Sequence, residues 1–184
     1  MKYLIITIFT IGSIFSQNDF FEPGHTIGGY GELHWNQEMN NNGDKTKNQL
    51  DFHRFIIFYG YNYTEKWSFK SELEIEHNMI DGDGDYDGEV ELEQAYINYH
   101  AENWGFKAGV ILASAGYINE THEPPTFLSV ERPDYAKHVI PTTWFGNGFG
   151  FYGNFSGIDW KLNIMEDLKS SGIGNGIRDA RGKG

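Results

Sequence analysis

Trp67–Asn78 reads WSFKSELEIEHN, and within it Phe69, Ser71, Leu73 and Ile75 alternate with Lys70, Glu72, Glu74 and Glu76. Successive side chains of a strand point to opposite faces, so the stretch predicts a strand with one apolar face and a row of three carboxylates on the other. A soluble sheet would turn that charged face to bulk water. A transmembrane barrel would turn it to the lumen, because a Lys or Arg at the bilayer midplane costs about 2–4 kcal/mol, and an Asp or Glu somewhat less.

The neighbouring segments split in the same way. In Leu50–Tyr63, Phe55, Ile57, Tyr59 and Tyr61 take one face, and Arg54, Ile56, Phe58, Gly60 and Asn62 the other. This segment is apolar on both sides and would also suit a buried core strand. Glu93–Tyr99 sets Ala95, Ile97 and Tyr99 against Gln94, Tyr96 and Asn98, while Gly105–Ala113 sets Phe106, Ala108, Val110 and Leu112 against Lys107, Gly109 and Ile111. Ile158–Met165 sets Ile158, Trp160, Leu162 and Ile164 against Asp159, Lys161 and Asn163. With Glu32 and His34 of Ile27–Gln37, the polar sets give a candidate pore lining of Glu32, His34, Arg54, Lys70, Glu72, Glu74, Glu76, Gln94, Lys107 and Lys161.

The connections alternate in length. Long ones are expected at Glu38–Asn48, Ile80–Gly88, Gly116–Thr143 and from Asp167 onward, and short ones near Thr64–Lys66, Ala101–Asn103 and Asn154–Gly157. In outer-membrane barrels short turns face the periplasm and long loops face outside. Tyr61, Tyr63, Trp67, Tyr99, Trp104, Phe155 and Trp160 gather near the short turns, where an interfacial aromatic girdle belongs. Cross-strand aromatic pairs in a soluble sheet would explain the same clusters. The fold class expected is therefore all-β: a transmembrane antiparallel up-and-down β-barrel of which about seven strands are present. A single-chain bacterial barrel needs an even number, so the chain reads as the N-terminal part of a longer protein, a fragment. The alternative is a complete eight-stranded barrel with a short strand inside Lys137–Thr143, which breaks the loop rhythm.

Met1-Lys2, the apolar run Tyr3–Phe15 and the small Ser16 have the layout of a secretory signal peptide, which leaves residues 17–184 for the barrel domain. The chain has no Cys, 23 Gly, 16% aromatic residues and a formal charge of −12, which excludes a disulfide-stapled module and argues against nucleic acid as a partner. Barrel strands hide hydrophobicity by alternation, so a mean hydropathy of −0.52 is compatible with a barrel.

Two loops carry chemistry. Asp81-Gly-Asp-Gly-Asp-Tyr-Asp-Gly-Glu89 offers Asp81, Asp83, Asp85 and Asp87 as a weak calcium candidate, the only cofactor expected. Counted from Asp83, the twelfth position is Gln94 rather than a bidentate Glu, so the loop departs from an EF-hand, and a solvated acidic hairpin is the alternative. His122-Glu123 opens like a zincin motif, but Pro124 and Pro125 follow and the second His is absent, so the protein is not expected to be an enzyme.

The segments Asn119–Phe127, Val130–Pro133 and Ile140–Trp144, together with Leu50–Asn78 and Val90–Tyr99, resemble the N-terminal half of porins of Bacteroidota-type bacteria, a group similar to the phosphate-selective porin O and P family. The resemblance is one of pattern over residues 27–184. It implies an outer-membrane channel of about sixteen to eighteen strands in a Gram-negative cell, in contact with lipid and lipopolysaccharide and forming a homotrimer at full length. Passive diffusion of small hydrophilic solutes or ions would be its function. It also implies that the third long loop folds inward as a constriction bearing His122, Glu123, Phe127, Glu131, Arg132, Asp134 and Lys137. A loop packed over the rim is the alternative. On the expected lumen face Glu32, Glu72, Glu74 and Glu76 stand against Arg54, Lys70, Lys107 and Lys161, a mixed or mildly cation-preferring lining, so the family's phosphate selectivity is not carried over. A different class of reading is a secreted or surface β-sandwich that binds glycans through its Tyr and Trp, with calcium in the Asp loop. Such a protein would bury its apolar faces against a second sheet.

Overall fold

Backbone pairing follows the alternation closely. The computed structural model describes residues 21–77, 88–116, 118–126 and 143–169. Its strands are β1 (Gly24–Met39), β2 (Lys45–Asn62), β3 (Trp67–Glu76), β4 (Glu89–His100), β5 (Trp104–Leu112), β6 (Phe145–Phe155) and β7 (Ile158–Met165). They form one antiparallel sheet in sequence order, each strand paired with the next, so among the described residues the outer edges of β1 and β7 are open. The leader read in residues 1–16 lies outside the described residues, as does the tail from residue 170. Of the segment proposed for an eighth strand only Thr143 is described, and it sits in a turn.

The sheet is inside out. The buried apolar side chains are Ile56, Tyr96, Ile111 and Ala113, whereas Arg54, Glu72, Glu74, Glu93, Asn119, His122 and Thr143 are buried polar ones. The opposite face exposes Leu33, Phe55, Ile57, Leu92, Ile97, Phe149, Leu162 and Ile164, among others. An uncovered apolar band of this extent marks a surface that meets another apolar phase or partner.

The sheet is also curled. Glu123 accepts a hydrogen bond from Tyr30 of β1, while Glu120, three residues earlier, receives Lys161 Nζ of β7 at 2.5 Å. Laid flat, seven strands would hold β1 and β7 about 29 Å apart. Contacts to both from one short segment require the strands to bend around it, in a half-barrel whose polar face is concave.

Three connections gather at one end of the strands: residues 63–66, residues 101–103 and the two-residue hairpin Ser156-Gly157. Ser156 (φ 50°) and Gly157 (φ 82°) both adopt the left-handed conformation that such a turn demands. Rings line this end, with Trp67 against Tyr99 at 4.9 Å, Tyr99 against Trp104 at 5.3 Å and Trp67 against Phe106 at 5.7 Å.

One expected loop is much shorter than its sequence suggested. Glu38–Asn48 is not a long loop, because β1 and β2 pair out to Met39 and Lys45, with a register shift between Glu38 and Met39, and leave only residues 40–44 between the strands. Asn40 closes that turn, its Oδ1 accepting the N–H groups of Asn42 and Asp44 at 2.9 Å, with Gly43 at φ 84°. The flanking residues are polar on both faces, so alternation could not show that they pair.

Close strand approach explains two inward glycines. A Cβ at Gly109, which has φ 135°, would lie 2.3 Å from the Ala95 carbonyl oxygen, and one at Gly148 would lie 2.3 Å from that of Ile164. Gly109→Ala is expected to lower stability by about 1–3 kcal/mol in denaturant unfolding of the full-length protein. Gly28→Ala, where a Cβ meets nothing within 4 Å, should change stability by less than about 0.5 kcal/mol.

Candidate functional site

Two bulges shape the concave face. The β1–β2 register shifts between Glu32 and Leu33, which leaves His53 as an extra residue beside Arg54. The β3–β4 register shifts between Glu72 and Leu73, which leaves Glu93 extra beside Gln94. A bulge lets two neighbouring residues oppose one partner residue and re-aims a side chain. Glu93 accordingly turns inward and is 1% exposed, although strict alternation from Ala95 would send it outward.

Arg54 is the central cation of the β1–β3 side. Its Nε lies 3.0 Å from Glu32 Oε2, one terminal nitrogen lies 3.0 Å from Glu74 Oε1, and the other lies 3.9 Å from Glu76. Arg54 Nε, Glu32 Oε2 and Glu74 Oε1 have no hydrogen-bond partner, so the first two contacts are ionic rather than directional.

The loop after β5 supplies a second cation. Asn119 ties the two ends of that loop together, its Nδ2 donating to the carbonyls of Ala113 at 2.7 Å and Trp144 at 2.9 Å while its Oδ1 accepts from Trp144 N at 2.6 Å. Single-turn 3₁₀ helices at Asn119–Thr121 and Pro124–Thr126 flank His122 and lower it onto the sheet. His122 Nδ1 lies 3.0 Å from the Asn119 carbonyl, which can only accept, so Nδ1 carries a proton. Nε2 then faces Glu93 at 3.1 Å, Glu123 at 3.7 Å and Glu72 at 3.8 Å. Burial disfavours a charged ring, but the Glu72 and Glu93 carboxylates outweigh it and push His122 up to about 10. Burial, reinforced by Glu72, pushes Glu123 up to about 7 against the hydrogen bond from Tyr30. Gln94 donates to the other Glu72 oxygen.

Toward the short-turn end the charge reverses. A cleft of about 290 Å³ is lined by Lys70, Lys107, Lys161, Tyr96, Tyr152 and Glu120, among others, and Lys107 Nζ stands 5.1 Å over the Tyr96 ring. Toward the long-loop end, Asp51 receives His77 Nδ1 at 2.8 Å and His53 Nδ1 at 3.1 Å, and His34 stacks on His53 at 4.4 Å.

All ten residues named as a pore lining therefore share the concave face. His122 and Glu123 of the loop lie against it, while Phe127, Glu131, Arg132, Asp134 and Lys137 lie outside the described residues. So do Asp81, Asp83, Asp85 and Asp87. Tyr30, Glu93, Asn119 and the grouping of Asp51 with His53 and His77 were not anticipated. Glu93 had a legible signal, since Leu92-Glu93-Gln94-Ala95 places two polar residues in succession where alternation allows one. Phe52-His53-Arg54-Phe55 carries the same mark at the other bulge.

No family model matches the chain, and no solved structure matches it. An uncharacterized protein of Aquifex aeolicus (strain VF5) is 41% identical over 150 residues, covering 81% of this chain and 34% of that protein. The chain thus spans about a third of the length of the relative it matches.

Replacing Arg54 by Met should destabilise the full-length protein by about 3–5 kcal/mol in denaturant unfolding, since Glu74 is left buried without its cation. Adding Glu74→Gln to Arg54→Met should recover part of that loss, and a double-mutant cycle reads the coupling.

Proposed function

We propose that the chain is the N-terminal part of an outer-membrane porin, a water-filled channel for passive diffusion of small hydrophilic solutes or ions. The observation that carries this reading is the inside-out sheet: a half-barrel whose concave face is charged and whose convex face is an uncovered band of aliphatic and aromatic side chains. Lipid is the medium such a face suits, and the rings at the short-turn end stand where an interfacial girdle would. A glycan-binding sandwich would call for a second sheet over that face, and the seven described strands form a single one. Further strands, to a total of about sixteen to eighteen, would close the open edges of β1 and β7. The Aquifex relative extends well past the matched region and has room for them.

The loop segment 119–126 is the constriction element in this proposal, anchored to the lumen wall through His122 and Glu123. On the concave face Glu32, Glu72, Glu74, Glu76 and Glu93 outnumber Arg54, Lys70, Lys107 and Lys161, so the channel favours cations mildly and is no phosphate filter. Ordered solute flow needs no catalytic step.

The full-length protein, extracted from outer membranes in detergent and added to a planar bilayer under a salt gradient, is expected to give stepwise conductance with a cation-signed reversal potential. A soluble, monodisperse protein that neither partitions into detergent nor conducts would sink the reading. Leu73→Lys, on the lipid side of β3, should lower the stability of the membrane-inserted form by about 2–4 kcal/mol.

A further inference from the structure

Around His122 the geometry is that of a ligand set rather than of a simple ion pair. Three carboxylate oxygens, Glu93 Oε2, Glu123 Oε1 and Glu72 Oε1, surround one imidazole nitrogen at 3.1, 3.7 and 3.8 Å. Four ligands placed about 2.0–2.2 Å from a tetrahedral cation stand about 3.3–3.6 Å from one another. The Nε2-to-oxygen distances bracket that value, and the ligand atoms of His122, Glu72 and Glu123 all lie within 4.8 Å of one another, whereas Glu93 groups with Glu74 and Glu91 instead. Glu72 is 1% exposed, and its Oε1, aimed into this space, has no hydrogen-bond partner.

The surroundings are those that orient metal ligands. A ligating His holds its other nitrogen on a carbonyl or carboxylate, and ligating carboxylates are themselves hydrogen-bonded. Here His122 Nδ1 is held by the Asn119 carbonyl, the second oxygen of Glu72 by Gln94, and the second oxygen of Glu123 by Tyr30. Each support leaves one ligand atom pointing at the common centre. We propose that His122, Glu72 and Glu123 form a binding site for a divalent transition metal of the zinc class. One imidazole with two carboxylates suits such a cation better than the all-oxygen sets of calcium and magnesium.

On binding, Nε2 gives its proton to solvent and its lone pair to the cation, while Nδ1 keeps the proton bonded to Asn119. The ion would clip the loop to β3 whether or not the sheet closes into a pore.

The test uses the full-length protein stripped with a chelator and titrated with Zn²⁺ alone against a chromophoric competitor. One equivalent should bind at micromolar affinity or tighter. His122→Ala and Glu72→Gln should abolish that binding, and Tyr30→Phe, which removes only a support, should weaken it about 10–100-fold. His25→Ala, on the exposed start of β1 and outside every such cluster among the described residues, should leave the affinity unchanged and serves as a folded control. Weaker than millimolar binding, or a tight equivalent that survives His122→Ala, overturns the proposal. Channel conductance is scored separately, so a failure here does not bear on the pore.

Discussion

Carboxylates withdrawn from water need positive charge beside them or they cannot remain ionised. The concave face of this sheet gathers Glu32, Glu72, Glu74, Glu76 and Glu93, and two cations answer them: Arg54 from β2 and His122 from the loop after β5. Arg54 is part of the sheet, so its share of the charge is neutralised as soon as β1, β2 and β3 pair. His122 is not, so the remaining carboxylates stay unbalanced until the loop is in place. Docking of the loop brings the second cation to the wall.

That dependence explains the location of the two bulges. One brings His53 to the concave side next to Arg54, and the other brings Glu93 there next to Gln94. Without the second bulge Glu93 would face outward with Ala95 and Ile97, where a charge is costly whether lipid or a protein partner covers it. With it, His122 gains its shortest carboxylate contact, at 3.1 Å. The irregularity in the ladder is thus the means by which a regular sheet acquires an irregular site.

Charge is also divided along the strands. The glutamates and the Asp51 group lie toward the long-loop end, and Lys70, Lys107 and Lys161 lie toward the short turns, with Lys107 resting on Tyr96 and Tyr152. Glu120 joins the two regions through Lys161 while Glu123, three residues on, joins β1 through Tyr30. The short segment 119–123 therefore touches both edge strands, β1 and β7, across the concave face.

By itself the sequence determined the seven strands, their order of exposure and the composition of the two faces, because side-chain alternation is a local property that needs no knowledge of partners. β7 was read to the residue, and ten residues of the inner face were named from the period of two. Only the tertiary structure decided that residues 40–44, not Glu38–Asn48, form the first turn, that Glu93 points inward, and that Tyr30, Asn119 and His122 meet around Glu72 and Glu123. Those outcomes depend on strand register and on a loop returning across the sheet. Register and loop return are contacts between residues far apart in the chain, and no local pattern encodes their distances.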